Sequence, residues 1–295
     1  MFRVRRLLAP FVLCIALLFS EAQAFTIAWL SDTQNYHNAY KPIFDGMTQW
    51  IADNRAALDI RFVFHTGDVV GSWSSEDQWR QARESMDILS SASIPFLTVC
   101  GNHDIGYRMN YANFLKYVLS LRPASMSQEY GDTGSRYELF SANGRDYIFM
   151  GIAFSNKGPS EDEVNWINGV LRQYSSRDAI IITHSYLKKS ASYTTQGKAI
   201  FEKIVKANPN VFLVLCGHCR DISYKNVQLD DDGDGDPDRT VYAILSNFQG
   251  SKAGGGGYMR ILDFRDSDIY IYTYSPYYDS CEYPKGKTEA TVPLP

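Results

Sequence analysis

The stretch FLTVCGNHD, Phe96 to Asp104, is a short apolar run with β-branched members that stops at Gly101 and continues into Asn102, His103 and Asp104. An apolar run of this length predicts a strand buried on both faces. Its polar ending places three side chains that can bind metal or move protons at the carboxyl end of a sheet, where open α/β folds build their sites.

Working outward, the same form recurs. Phe25–Leu30 leads into Ser31, Asp32, Thr33 and Gln34, and Arg61–Thr66 leads into Gly67 and Asp68. Ala179–Thr183 ends at His184, and Val211–Leu215 ends in Cys216, Gly217, His218, Cys219 and Arg220. Between these runs lie segments with helical apolar spacing: 43–58, 76–89, 110–119, 161–174 and 196–205. Strands alternating with helices predict an α/β fold with parallel pairing. Asn143-Gly144, between runs at 135–140 and 147–154, predicts a hairpin. Four later runs, 222–229, 239–246, 258–264 and 269–274, predict an antiparallel sheet that closes the fold. No linker-like break divides 25–274, so these residues read as one domain, with 275–295 a weakly periodic tail packed on its surface.

The chain has 295 residues and a formal net charge of −4, without a long basic tract, which argues against a nucleic-acid-binding surface. Arg3, Arg5 and Arg6 precede an apolar stretch from Leu7 to Phe19, then Ala22-Gln23-Ala24. This is the pattern of a signal peptide over residues 1–24, and it predicts a secreted or periplasmic protein. A membrane anchor is the competing reading, but the stretch contains Pro10 and falls short of the roughly 20 residues a spanning helix needs. Cys14 lies within the apolar stretch, a poor place for lipid attachment. Cys100, Cys216, Cys219 and Cys281 remain, too few for a disulfide scaffold, and buried thiols are the expectation for the two at strand ends.

Collected from the strand ends, Asp32, Gln34, Asp68, Asn102, His103, His184 and His218 offer carboxylate, amide and imidazole donors. That mixture suits Zn, Mn or Fe better than an all-oxygen Ca site or a thiolate Zn site. The series D-x-Q, G-D-x-x, G-N-H-D, a lone His after a strand and G-H-x-x resembles the calcineurin-like metallophosphoesterases, also called purple-acid-phosphatase-like, over residues 31–220. Residues 247–262 look like a secreted branch of that family.

The resemblance implies a four-layer α/β/β/α sandwich and a two-metal site acting on a phosphoester. It implies that Asp68 bridges the metals and that Asn102, His184 and His218 complete one site. His103 would protonate the leaving alkoxide, with Asp104 orienting its ring. The other site departs from the family pattern: Gln34 and Arg220 stand where histidines are usual. Gln34 offers a neutral amide oxygen, and Arg220 stays protonated and cannot coordinate. Either Asp32, Gln34 and Asp68 hold a second, weaker metal, or Arg220 supplies the missing charge by pairing with Asp32 or gripping a substrate phosphoryl group. The reading is an exported phosphomonoesterase or phosphodiesterase. Its competitor is a binding protein that kept the fold after losing turnover.

Other residues carry weaker signals. His65 reads as a satisfied core histidine, whereas His37, on a loop, could replace the missing ligand. Tyr36, Trp73 and Tyr107 lie on loops and could stack on a substrate or cover the core. Cys216 and Cys219 spell the C-x-x-C of thiol–disulfide oxidoreductases, but late in the chain and before strand-like sequence. Asp230, Asp232 and Asp234 have calcium-loop spacing without the twelfth-position Glu, since Val241 stands there; a solvated acidic tip competes with weak Ca binding. The loops around 35–42, 70–77 and 104–135, which would set specificity, carry no decisive motif.

Overall fold

The computed structural model describes residues 24–121, 128–131, 133–284, 286 and 288–295. The signal peptide expected over 1–24 therefore lies outside the described residues except for Ala24, as do 122–127 and 132 of the third specificity loop. The chain begins with β1 (Phe25–Leu30), α1 (Lys41–Asp53), β2 (Ile60–His65), α2 (Glu76–Ser91) and β3 (Phe96–Thr98). β1, β2 and β3 are parallel neighbours, as alternating strands and helices require. After α3 (Ala112–Tyr117) come β4 (Gln128–Tyr130), β5 (Ser135–Ala142), β6 (Arg145–Ile152), α4 (Glu161–Gln173) and β7 (Asp178–Thr183). Ala142 pairs with Arg145 across the hairpin, and Asn143 and Gly144 both take positive φ (53° and 73°), the geometry a two-residue I′ turn needs. Ser160 caps α4 by accepting from Glu163 N, and Glu161 and Asp162 sit in its first turn, where the helix dipole favours acids.

α5 (Thr195–Ile200) continues as a π-helical turn, Phe201–Val205, and leads into β8 (Val211–Cys216). β9 (Asp221–Leu229), β10 (Arg239–Asn247), β11 (Met259–Phe264), β12 (Asp268–Tyr274) and β13 (Ala290–Pro293) complete the chain. The last strands do not form one closing antiparallel sheet. β10 lies parallel to β8 and antiparallel to β9, whereas β11 pairs antiparallel to β1 and carries β12 and β13. The pair β9–β10 and the trio β11–β13 extend the open edges of two different sheets, where unpaired backbone groups would otherwise face solvent. β13 adds an edge strand within the tail, whose sequence has too little periodicity to announce it.

The result is a six-stranded sheet, β13-β12-β11-β1-β2-β3, and a seven-stranded sheet, β4-β5-β6-β7-β8-β10-β9. Side-chain alternation along each strand serves two interfaces at once. Ile27, Trp29, Phe62 and Phe64 face the second sheet and meet Phe149, Ile180, Ile182 and Leu215. Phe64 and Phe149 pack edge to face at 4.8 Å. The intervening Ala28, Leu30 and Val63 face outward onto Phe44 and Met47 of α1 and Trp79 and Met86 of α2. On the other flank, Ile181 and Val214 meet Val164 and Ile167 of α4 and Ile200 of α5. These are the four layers of an α/β/β/α sandwich. Both sets of parallel strands end at the same rim.

Candidate metal centre

At that rim three glycine-marked loops approach too closely for any other residue. A Cβ on Gly101 would lie 2.2 Å from Asp68 Oδ1, and one on Gly217 would lie 2.3 Å from Asp32 Oδ2. Asp32, Asp68 and His218 take positive φ (49°, 53° and 70°), an uncommon conformation for residues with side chains. Their side chains are thereby held at the strand ends by the packing around them.

The structure brings the residues of four strand ends together. Asp68, His184 and His218 each offer a ligand atom within 4.8 Å of the others. His184 Nε2 lies 3.3 Å from Asp68 Oδ2, 3.1 Å from Asn102 Oδ1 and 3.1 Å from His218 Nδ1. His184 Nδ1 donates to the Thr66 carbonyl at 2.8 Å. Because a carbonyl only accepts, this bond fixes the tautomer and turns Nε2 toward the cluster, as metal-ligating histidines require. Asn247 Nδ2 donates to the His218 carbonyl at 3.1 Å and steadies the last ligand loop.

Asp32 lies beside this group. Its carboxylate accepts from His218 N at 3.2 Å and from the Ser31 hydroxyl. Gln34, in the turn after β1, is buried, and its Oε1 has no hydrogen-bond partner among the described residues. Arg220 is exposed, with its Cδ against Gly250, and among the described residues it forms no ion pair with Asp32.

The electrostatics show a centre short of positive charge. Asp32 is 1% exposed and Asp68 2%. Burial, with the neighbouring Asp68 charge, pushes Asp32 up to about 7. Burial also acts to raise Asp68, but His184 overrides it and holds that carboxyl below its ordinary value. Burial alone would lower His184; Asp68 and Asp32 instead raise it to about 9. Burial and the charge on His184 press His218 down to about 4. Two buried carboxyl groups sharing one imidazole, and an orphaned amide oxygen alongside, fit a site built for divalent cations.

His103 stands at the same rim. Its backbone N–H donates to Asp68 Oδ1 at 2.9 Å, and its Nδ1 donates to the Gly71 carbonyl at 2.9 Å. The expected role for Asp104 is therefore corrected. The Asp104 carboxylate accepts from Val70 N at 3.0 Å and Gly101 N at 2.8 Å, tying two ligand loops together. The Gly71 backbone, which no side-chain pattern reveals, orients the His103 ring and leaves Nε2 free to exchange a proton.

Other sequence signals resolve away from the centre. His65 is satisfied on both nitrogens, accepting from Gly67 N at 3.1 Å and meeting Thr33 Oγ1 at 3.0 Å. Tyr36 is buried, its hydroxyl accepting from Gly257 N at 2.9 Å, so it serves the core rather than a substrate. Trp73 packs edge to face on the exposed Tyr107 at 5.9 Å. His37 bonds to Asn38 Nδ2 through Nδ1 at 3.0 Å, and its Nε2 lies 3.9 Å from where a Cβ on Gly71 would sit. Cys216 and Cys219 are free thiols; burial pushes Cys216 up to about 12 and Cys219 above its ordinary value. A reactive redox thiol needs the opposite shift. In the acidic loop it is Asp238, not Asp234, that comes within 4.8 Å of Asp230 and Asp232; Asp234 Oδ1 instead accepts from Asp236 N at 2.8 Å.

A model of the calcineurin-like phosphoesterase family matches residues 25–219. The uncharacterized protein YvnB of Bacillus subtilis (strain 168) is 41% identical over 259 residues, 86% of this chain. The chain spans only 20% of that relative's length. Among solved structures, a dimetal phosphatase from Danio rerio superposes with a TM-score of 0.62 at 14% identity, covering 91% of this chain and 98% of its own. The purple acid phosphatase PPD1 from yellow lupin (Lupinus luteus) seeds gives 0.60 at 13% identity, covering 92% of this chain and 54% of its own. At those identities the likeness is one of fold. The family match runs from the first core strand through the last ligand loop, and on it the chain belongs to the calcineurin-like phosphoesterase family.

Proposed function

We propose that this chain is an exported, metal-dependent phosphoester hydrolase with one complete metal site and one altered site. The observation that carries the reading is the convergence of Asp68, His184 and His218 within 4.8 Å, with Asn102 Oδ1 3.1 Å from His184 Nε2. Asp68, Asn102, His184 and His218 would hold one cation; Asp32, Gln34 and Asp68, a neutral amide among them, would hold a second more weakly. Cations bound there supply a nucleophile from water near neutral pH and stabilise charge at phosphorus.

The chain's own groups do the rest. His103, with Nδ1–H engaged by Gly71, delivers a proton from Nε2 to the leaving oxygen. Arg220, exposed and without an Asp32 partner, is assigned to the substrate phosphoryl group. The basic, apolar, A-x-A pattern of residues 1–24 supports export.

Hydrolysis of an aryl phosphodiester with added Mn, measured beside Asp68→Ala, tests the reading. Activity in wild type that the variant loses is expected; equal inertness across metals and esters favours the binding protein. Metal analysis after dialysis is expected to find one tightly held equivalent and one that exchanges, and two tight equivalents would remove the unequal-site proposal. N-terminal sequencing of exported protein should begin at Phe25.

A further inference from the structure

A cavity of about 460 Å³ opens beside the centre, its wall running from Asn102 and His218 through Phe154 to Asn156, Thr195 and Lys188. This is the size of a small-molecule site. Phe154 forms the join: its ring lies 5.7 Å from His184 and 6.1 Å from His218, so a molecule in the cavity touches the wall that holds the ligands.

The charge there runs against the rest of the chain. The chain carries −4, yet among the described residues no Asp or Glu lines this cavity, and Lys188 is its one lysine or arginine. Its neighbour Lys189 is neutralised by Asp221 at 2.6 Å, whereas Lys188 has no carboxylate partner among the described residues. A tight turn fixes its backbone: Lys188 N donates to the Ser192 carbonyl at 2.8 Å, and Leu187 pairs with Tyr193 just outside. The remaining lining is amide, hydroxyl and aromatic, with the one thiol of Cys219, which suits an organic body bearing polar groups.

A reacting phosphoryl group would sit at the cation ligands, so an uncompensated ammonium in the adjoining cavity is free for a different anion. We propose that this cavity receives the organic portion of the phosphoester and that Lys188 selects substrates carrying a second anionic group, a phosphate or a carboxylate. The inference rests on the hydrolase reading above. Lysine acts here as a point charge, so it serves either anion.

The test compares phenyl phosphate, 4-carboxyphenyl phosphate and benzene-1,4-diyl bisphosphate with Mn present. Lys188→Ala should lower the ratio of kcat/KM for the doubly anionic esters over phenyl phosphate by about tenfold, and Lys188→Arg should largely restore it. Lys189→Ala should leave the ratio unchanged. Comparing ratios between variants cancels the intrinsic reactivity of each ester. A loss confined to one of the two anions supports the proposal and names the anion. An equal loss on all three esters would place Lys188 on the reacting phosphoryl group and overturn it, as would no loss at all. Wild type inert on all three esters and on the aryl phosphodiester would instead refute the hydrolase reading itself, whereas activity on the diester alone moves the same comparison of ratios to the aryl methyl phosphodiesters of the three phenols.

Discussion

Among the described residues, two places bring three candidate ligands within 4.8 Å of one another: Asp68, His184 and His218 at the strand ends, and Asp230, Asp232 and Asp238 at the tip between β9 and β10. They differ in what already satisfies them. At the tip, Asp230 accepts from Gly233 N at 2.6 Å and Gly235 N at 2.9 Å, and Asp238 accepts from Asp231 N at 2.6 Å, all of them exposed to water. At the strand ends both carboxyl groups are buried and crowded, Asp32 pushed toward protonation while His184 holds Asp68 ionised, with an amide oxygen of Gln34 left over. Proximity is common to both. Only the second holds its carboxylates away from water, where a cation would relieve the cost of burying them, and that marks it as the candidate metal centre.

The comparison can be broken first at Asp68. Asp68→Ala should lower turnover of an aryl phosphodiester by about 10³-fold or more and strip bound metal, because it removes the carboxylate nearest the ligating imidazole. His103→Ala should lower turnover by about 10² to 10⁴-fold while metal content, read by elemental analysis, stays as in wild type. Loss of metal together with turnover would make His103 a structural residue. Gly217→Ala, whose Cβ would meet Asp32 Oδ2 at 2.3 Å, should cost about 2 kcal/mol, a fall of roughly 3–4 °C in Tm by calorimetry. An unchanged Tm would mean that the loop relaxes freely. Least affected should be the tip: replacing Asp230, Asp232 and Asp238 with Asn together should change stability by no more than about 0.5 kcal/mol and leave the Mn dependence of turnover intact. A large calcium-dependent Tm shift in wild type, lost in this variant, would promote the tip to a site.

Which residues meet at the candidate centre was largely legible because each follows an apolar strand within a few residues. A strand end is a local event, readable from Phe96–Asp104 or Val211–His218 alone. Three features were not legible. Asp104 seemed placed to orient His103, but its carboxylate bridges Val70 N and Gly101 N, since the loops after β2 and β3 close on each other. The groups that do set the imidazole tautomers are the backbone carbonyls of Thr66 and Gly71, which every residue possesses and no pattern marks. Lys188 carried no signal either. Its importance lies in the carboxylates that are not beside it, while Lys189 next to it has one.

The amino-acid sequence by itself determined the alternation of strand and helix, the I′ hairpin at Asn143-Gly144 and the chain order of the ligands. Apolar period, turn chemistry and strand termination are all set by near neighbours. Only the tertiary structure decided that β9–β10 and β11–β13 extend different sheets, that Thr66 rather than a carboxylate holds His184, and which buried charges lack compensation. Those outcomes depend on through-space approach between segments as far apart in the chain as residues 66 and 184, and local sequence does not encode such distances.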